Sequence, residues 1–223
     1  FLVNLETPVI KGDVYPHSEK SVTFQASPSD LQKIVKYRDK IVFCLANNHI
    51  LDFGWEGYES TINLLGEFGF QYVPLESALA ITVGGQDVEI VSLHEGIENE
   101  YQRKMICSPE FSESKLSICC IHWGDEHVLL PTPRQRAMAS SFSLVGVDLI
   151  LGHHSHTPQG CEYIDNAAVI YSMGNLNMLP ITSPVRKENI KSYIADISLN
   201  KLRKSRIVKH PILIDENYVP HPD

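Results

Sequence analysis

Val147-Asp148-Leu149-Ile150-Leu151-Gly152-His153-His154-Ser155-His156 is the stretch on which the reading of this chain turns. An apolar run that stops abruptly at polar residues marks a buried strand giving way to a loop. Three imidazoles, His153, His154 and His156, fall at that point. Alternate residues of an extended chain present their side chains to the same side. That spacing places His154 and His156 to hold one metal ion, or two neighbouring ions, through neutral ring nitrogens. A Ser/His-rich surface turn is the competing reading of the segment taken alone.

Two further runs end in the same way. Ile41-Val42-Phe43-Cys44-Leu45 is followed by Ala46-Asn47-Asn48-His49, and Leu116-Ser117-Ile118-Cys119-Cys120-Ile121 by His122-Trp123-Gly124-Asp125-Glu126. In an open α/β sheet, ligand sites form outside the carboxyl ends of the strands, so loops distant in sequence can converge there. Near the amino terminus, Phe1-Leu2-Val3-Asn4-Leu5-Glu6-Thr7-Pro8 repeats the pattern. Glu6 offers a carboxylate able to bridge two ions and offset their charge, which imidazole cannot do. Each motif alone also fits a turn, a core histidine or a solvated strand edge; their recurrence at strand ends favours a site.

With 223 residues and 43% hydrophobic content, the chain suits one domain with a substantial core. A formal net charge of −8 excludes a general nucleic-acid binder, which needs a basic face to displace counterions. An anionic substrate would then depend on bound metal for local positive charge. The five cysteines, Cys44, Cys107, Cys119, Cys120 and Cys161, lack zinc-site spacing. Buried thiols in a reducing compartment are the favoured reading, which points to the cytoplasm. No apolar run is long enough to span a membrane.

Periodicity predicts helices over residues 29–37, 56–68 (stopped by Gly69) and 132–145 (opened by Pro133). Gly84-Gly85 predicts a hairpin between 79–83 and 88–93. Further strands are expected over 167–172, 192–199 and 206–214. The polar segments 97–113 and 180–188 resist assignment; Arg186 and Lys187 in the second are candidate substrate contacts. Core packing is the expected job of Trp123 and Tyr171.

In order, Asn4-Leu5-Glu6, Ala46-Asn47-Asn48-His49 with Asp52 and Gly54, His122-Trp123-Gly124 with Glu126, Gly152-His153-His154-Ser155-His156 and Tyr171-Ser172-Met173-Gly174-Asn175 form a series. That series resembles the bacterial capsule-synthesis CapA family, within the calcineurin-like metallophosphoesterase superfamily, over roughly residues 1 to 178. The resemblance implies an α/β fold of two packed mixed β-sheets flanked by helices, a four-layer α-β-β-α sandwich. It also implies a dinuclear site of manganese, iron or zinc, with Glu6, Asn48, His122, His154 and His156 as ligands. His49 matches the catalytic histidine. Asp52 is read either as the partner that orients His49 or as a cap on the following helix. Asn4, Asn47, Glu126, His153 and Asn175 are expected to support the ligands or face the substrate.

One departure stands out. The family carries a Gly-Asp pair, its Asp a metal ligand, ahead of Asn-Leu-Glu, whereas Gly12-Asp13 here follows it. The expectation is that the first strand and its carboxylate are missing from this sequence. Many relatives carry an amino-terminal anchor, so a membrane-anchored or extracellular location stands beside the cytoplasmic one. The resemblance implies a metal-dependent hydrolase of phosphoester type, tied to capsule or poly-γ-glutamate biosynthesis. The alternatives are a non-catalytic, metal-assisted binding or export factor for an anionic capsule polymer, and a γ-glutamyl amide hydrolase.

Overall fold

Strands that pair in parallel cannot be joined by a tight turn, so each needs a crossover, usually helical. The apolar runs of this chain are arranged accordingly. The computed structural model describes residues 1–17, 20–97, 99–111, 115–177, 190–199, 205–215 and 219–222. The chain forms two compact units, Phe1–Ala80 with Ile90–Cys107, and Ile81–Glu89 with Ser108–Asp223. Segment 180–188, including Arg186 and Lys187, lies outside the described residues.

In the first unit, β1 (Leu2–Asn4), β2 (Val42–Cys44) and β3 (Gln71–Val73) form a parallel sheet in that order. Helix α1 (Pro28–Ile34), continued by a 3-10 segment over Val35–Lys40, connects β1 to β2. Helix α1 starts one residue earlier than predicted, because Ser27 serves as its cap and Pro28 takes the first helical position. Asp30 accepts from the Ser27 N–H (2.9 Å) and from Lys33 Nζ (2.7 Å). The bond from Lys33, then those from Ser27, hold the Asp30 carboxyl down at about 2. Helix α2 (Gly54–Phe68) connects β2 to β3 and stops where predicted, with Gly69 left-handed at φ 77°. The core beneath these elements includes Phe43, Leu45, Ile50, Tyr58, Leu65 and Leu75.

The hairpin β4 (Leu79–Val83) and β5 (Gln86–His94) turns at Gly84-Gly85, both with positive φ as a tight two-residue turn requires. The unassigned segment after it contains helix α3 (Glu100–Cys107). Gln102, fully buried on α3, explains why: its side chain bonds the Leu75 and Ser92 carbonyls and the His94 N–H. A polar anchor of this kind leaves no apolar stripe to read.

In the second unit, β6 (Leu116–His122), β7 (Leu149–His153), β9 (Ala167–Ile170) and β8 (Cys161–Ile164) lie side by side in that order. The β6, β7 and β9 pairs are parallel, and β8 is antiparallel to β9. β6 is buried along its whole length, Cys119 and Cys120 included, as the near-continuous apolar runs of buried parallel strands require. Helix α4 (Pro133–Leu144) links β6 to β7 behind a reciprocal cap between Thr132 and Gln135. An antiparallel sheet of β10 (Lys191–Leu199), β11 (Ser205–Ile214) and β12 (Pro220–Pro222) closes the chain. The fold is therefore α/β, with several sheets and four α-helices among the described residues. No helix among them is long and apolar enough to cross a membrane.

Gly152 in β7 has a packing reason. Trp123 Nε1 donates to the Tyr171 carbonyl (3.0 Å) directly across it, and the two rings stack 5.7 Å apart. A Cβ at residue 152 would overlap both the Tyr171 carbonyl and Trp123 Nε1. Gly152→Ala is expected to cost at least about 2 kcal/mol and to perturb Trp123 fluorescence, since strands and a buried indole must separate. Urea unfolding within ~0.5 kcal/mol of wild type would contradict this close approach.

Candidate functional site

Because β1 and β2 run parallel, their polar carboxyl-terminal loops emerge at one edge of the first unit. Asn47 organises that edge. It is 1% exposed; its amide nitrogen donates to Asn4 Oδ1, Leu5 O and Leu45 O, and its oxygen accepts from the His49 and Ile50 N–H groups. Asn4 in turn donates to Glu6 Oε2 at 3.0 Å. The Asn-Leu-Glu and Asn-Asn-His motifs are thus one hydrogen-bonded assembly, with Glu6 and Asn48 half-buried.

His49 Nδ1 lies 2.7 Å from Asp52 Oδ2, and the Asp52 side chain is fully buried. Asp52 does not cap α2, whose N-cap is Phe53. Its carboxylate also accepts from Lys20 Nζ (2.9 Å) and the Phe24 N–H (2.8 Å). Burial works to raise the Asp52 pKa, but bonds from His49, Lys20 and Phe24 outweigh it and hold the carboxyl below its ordinary value. With Asp52 ionised, the imidazole carries its proton on Nδ1 and presents Nε2 as the other ring nitrogen.

The second unit gathers the remaining motifs by the same rule. His122 ends β6 and pairs in register with His153, the last residue of β7. The buried His122 ring lies 4.6 Å from that of His154, which lies 6.3 Å from His156 (centroid distances). His156 Nδ1 is 2.9 Å from Asn175 Oδ1, beyond the end of β9. The rings converge, but not by strand alternation. β7 stops at His153, and His154 and His156 adopt left-handed backbone with φ of 94° and 57°. Extended geometry would have separated them along a strand; two left-handed residues fold the chain back instead.

Glu126 is exposed, with Oε2 3.8 Å from His127 Nε2. His127 escaped the sequence reading. It too has a positive φ (63°), donates its N–H to Ser155 O (2.7 Å), and sits with its ring 5.8 Å from His156. Its position as a further imidazole in the loop after β6 was the available signal. Lys20 and Phe24 lay in a stretch with no motif, and nothing in the sequence ties them to Asp52.

A model of the family described as Bacterial capsule synthesis protein PGA_cap matches residues 1–178. The chain belongs to that family, through which it falls in the calcineurin-like superfamily. It is similar to Capsule biosynthesis protein CapA of Bacillus anthracis, at 28% identity over 200 residues, covering 77% of this chain and 48% of that protein. It is equally similar to PGA biosynthesis protein CapA of Bacillus subtilis, at 28% identity, with coverages of 77% and 51%. A probable polyglutamine synthesis accessory protein of Mycobacterium tuberculosis matches at 25% identity, with coverages of 78% and 54%. The chain thus spans about half the length of these curated relatives. Among solved structures, a hypothetical protein from Thermus thermophilus matches with a TM-score of 0.47 at 10% identity, covering 82% of this chain and 92% of that one.

Asn47→Ala is expected to destabilise the protein by about 3 kcal/mol, because it orphans buried backbone groups on both sides of the turn. A carboxyl whose folded pKa is lowered contributes stability that is complete above the unfolded value, ~4, and is lost as pH falls through the folded value. Asp52→Asn removes that contribution. The stability gap between wild type and Asp52→Asn should therefore hold steady above about pH 5 and shrink below ~4. A gap independent of pH would contradict the assignment.

Proposed function

We propose that the chain is a dinuclear-metal-dependent hydrolase of phosphoester type, acting in the biosynthesis of capsule or of a poly-γ-glutamate polymer. The reading includes the four-layer α-β-β-α sandwich and treats the chain as one metallophosphoesterase-type domain. The observation that carries it is the convergence of His122, His154 and His156, the last two on backbone that residues with a Cβ rarely adopt. Such strain is characteristic of sites where a side chain must sit at one particular place. Membership of the capsule-synthesis family and the names of the relatives support the polymer context.

The donor chemistry fits divalent manganese, iron or zinc. His122, His154 and His156 would supply imidazole nitrogens, with Glu6 and Asn48 adding carboxylate and amide oxygens. Asn175 on His156 Nδ1 fixes the orientation of that ring, so that Nε2 would be its coordinating nitrogen. When bound, the ions supply Lewis acidity and lower the pKa of water towards ~7. The remaining chemistry belongs to the chain. In its imidazolium form, protonated on both nitrogens, His49 would donate the Nε2 proton to the leaving-group oxygen and be left as the Nδ1–H tautomer, while Asp52 holds Nδ1–H throughout and balances the imidazolium charge.

The first test is metal content by elemental analysis with turnover of bis(p-nitrophenyl) phosphate and of poly-γ-glutamate. About two ions per chain and phosphodiester turnover are expected. His154→Ala should lose metal, whereas His49→Ala should keep it and lose roughly 10²- to 10⁴-fold in kcat. Two ions with cleavage of neither substrate would overturn the hydrolase reading in favour of a metal-assisted polymer-binding role. Cleavage of the polymer alone would move the chemistry to the γ-glutamyl amide.

A further inference from the structure

The Asp52 carboxylate is held by more than its histidine. One oxygen is shared between His49 Nδ1 and the Phe24 N–H, and the other takes Lys20 Nζ. Lys20 also donates to the carbonyl of Asn48, so a single ammonium ties both ends of the turn from Asn48 to Asp52. The backbone follows the same path, with His17 N–H on the Asp52 carbonyl at 3.0 Å. Phe24 then lays its ring against the His49 imidazole, centroids 4.1 Å apart and planes tilted by 54°. These contacts come from residues far from Asp52 in sequence, in chain that forms neither helix nor strand.

We propose that Lys20 and Phe24 are positioning residues for His49, forming a strap that locks the Asp52 carboxylate and the imidazole in one orientation. A carboxylate fixed at one oxygen can swing about its terminal torsion, carrying the imidazole with it. Lys20 on the second oxygen removes that freedom, and Phe24 blocks rotation of the ring out of its plane. Lys20 is not an ordinary surface ion pair, which would contribute little. Its side chain is 41% exposed but its partner is 0% exposed, so removing the ammonium leaves a buried charge uncompensated. General acid catalysis depends on the acid being held at the reacting oxygen, where small misplacements cost large factors in rate.

The effect on turnover rests on the acid role assigned to His49 under the proposed function; the state of the ring does not. The test therefore has two readouts on the full chain, for Lys20→Met, Lys20→Arg and Phe24→Leu. Long-range proton–nitrogen NMR of labelled histidine at about pH 8, where free imidazoles are neutral, reports the His49 tautomer. Turnover of bis(p-nitrophenyl) phosphate, with metal content measured alongside, reports the consequence. Wild type should show a single Nδ1–H tautomer. Lys20→Met and Phe24→Leu should give averaged tautomer signals and lose roughly tenfold or more in kcat, with KM and metal content unchanged. Lys20→Arg, which can donate to both acceptors, should restore most of the loss. A Lys20→Met protein with lowered Tm but wild-type His49 signals and kcat would overturn the strap as a positioning device. If wild type turns over nothing, the hydrolase reading fails, yet the tautomer change in Lys20→Met still upholds the strap and its absence still overturns it.

Discussion

Parallel pairing of short apolar strands is the constraint from which the rest follows. Each unit holds three strands in parallel, β1, β2 and β3 in one and β6, β7 and β9 in the other. A parallel strand must return by way of a crossover, so all three carboxyl ends fall at one edge. At every one of those ends but that of β3, the chain changes from apolar to polar. Asn4, His122 and His153 end β1, β6 and β7, while Glu6, Asn47 to His49, His154 to His156 and Asn175 lie beyond β1, β2, β7 and β9. Topology, rather than proximity in sequence, assembles the chemistry within each unit.

That assembly has an energetic cost in the second unit. His127, His154 and His156 all have positive φ, each costing on the order of 1–2 kcal/mol relative to ordinary backbone. Glycine would relieve it and remove the imidazole. The strain persists because neighbouring bonds over-determine the loops. His127 N–H donates to Ser155 O, Ser155 Oγ to Thr157 O, and Gln159 Nε2 to Val128 O, joining the loop after β6 to the loop after β7. The buried, hydrogen-bonded side chains of Ser155 and Gln159 therefore serve the histidines without resembling ligands.

These bonds also explain what could and could not be read in the sequence. Helix α2 was legible from an apolar stripe and a stopping glycine, α4 from the proline that opens it, and the Gly84-Gly85 hairpin from its turn chemistry. The motif residues were legible because each sits where an apolar run breaks. Helix α3 was not, since Gln102 anchors it with a side-chain amide. The convergence of His154 and His156 was anticipated, but through an extended geometry that the backbone does not have. Lys20 and Phe24 act through tertiary contacts alone, and no local pattern encodes a partner some thirty residues away.

Charge gives the arrangement around His49 a further consequence. The chain carries a formal net charge of −8, so an anion entering it meets repulsion unless charge is balanced locally. Asp52 alone would add a buried negative charge beside the imidazole. Lys20, at 2.9 Å from Asp52 Oδ1, cancels that charge at contact distance while leaving Oδ2 on His49. The pair together is neutral, and its field falls off faster with distance than that of either ion. Under the proposed hydrolase reading, Asp52 would thus fix the imidazole through a short hydrogen bond without opposing an anionic group brought to Nε2. A neutral amide in place of Asp52 would also avoid repulsion, but its hydrogen bond would not stabilise the imidazolium. A carboxylate tethered to an ammonium would satisfy both requirements of that reading, and the Lys20–Asp52 pair has that form.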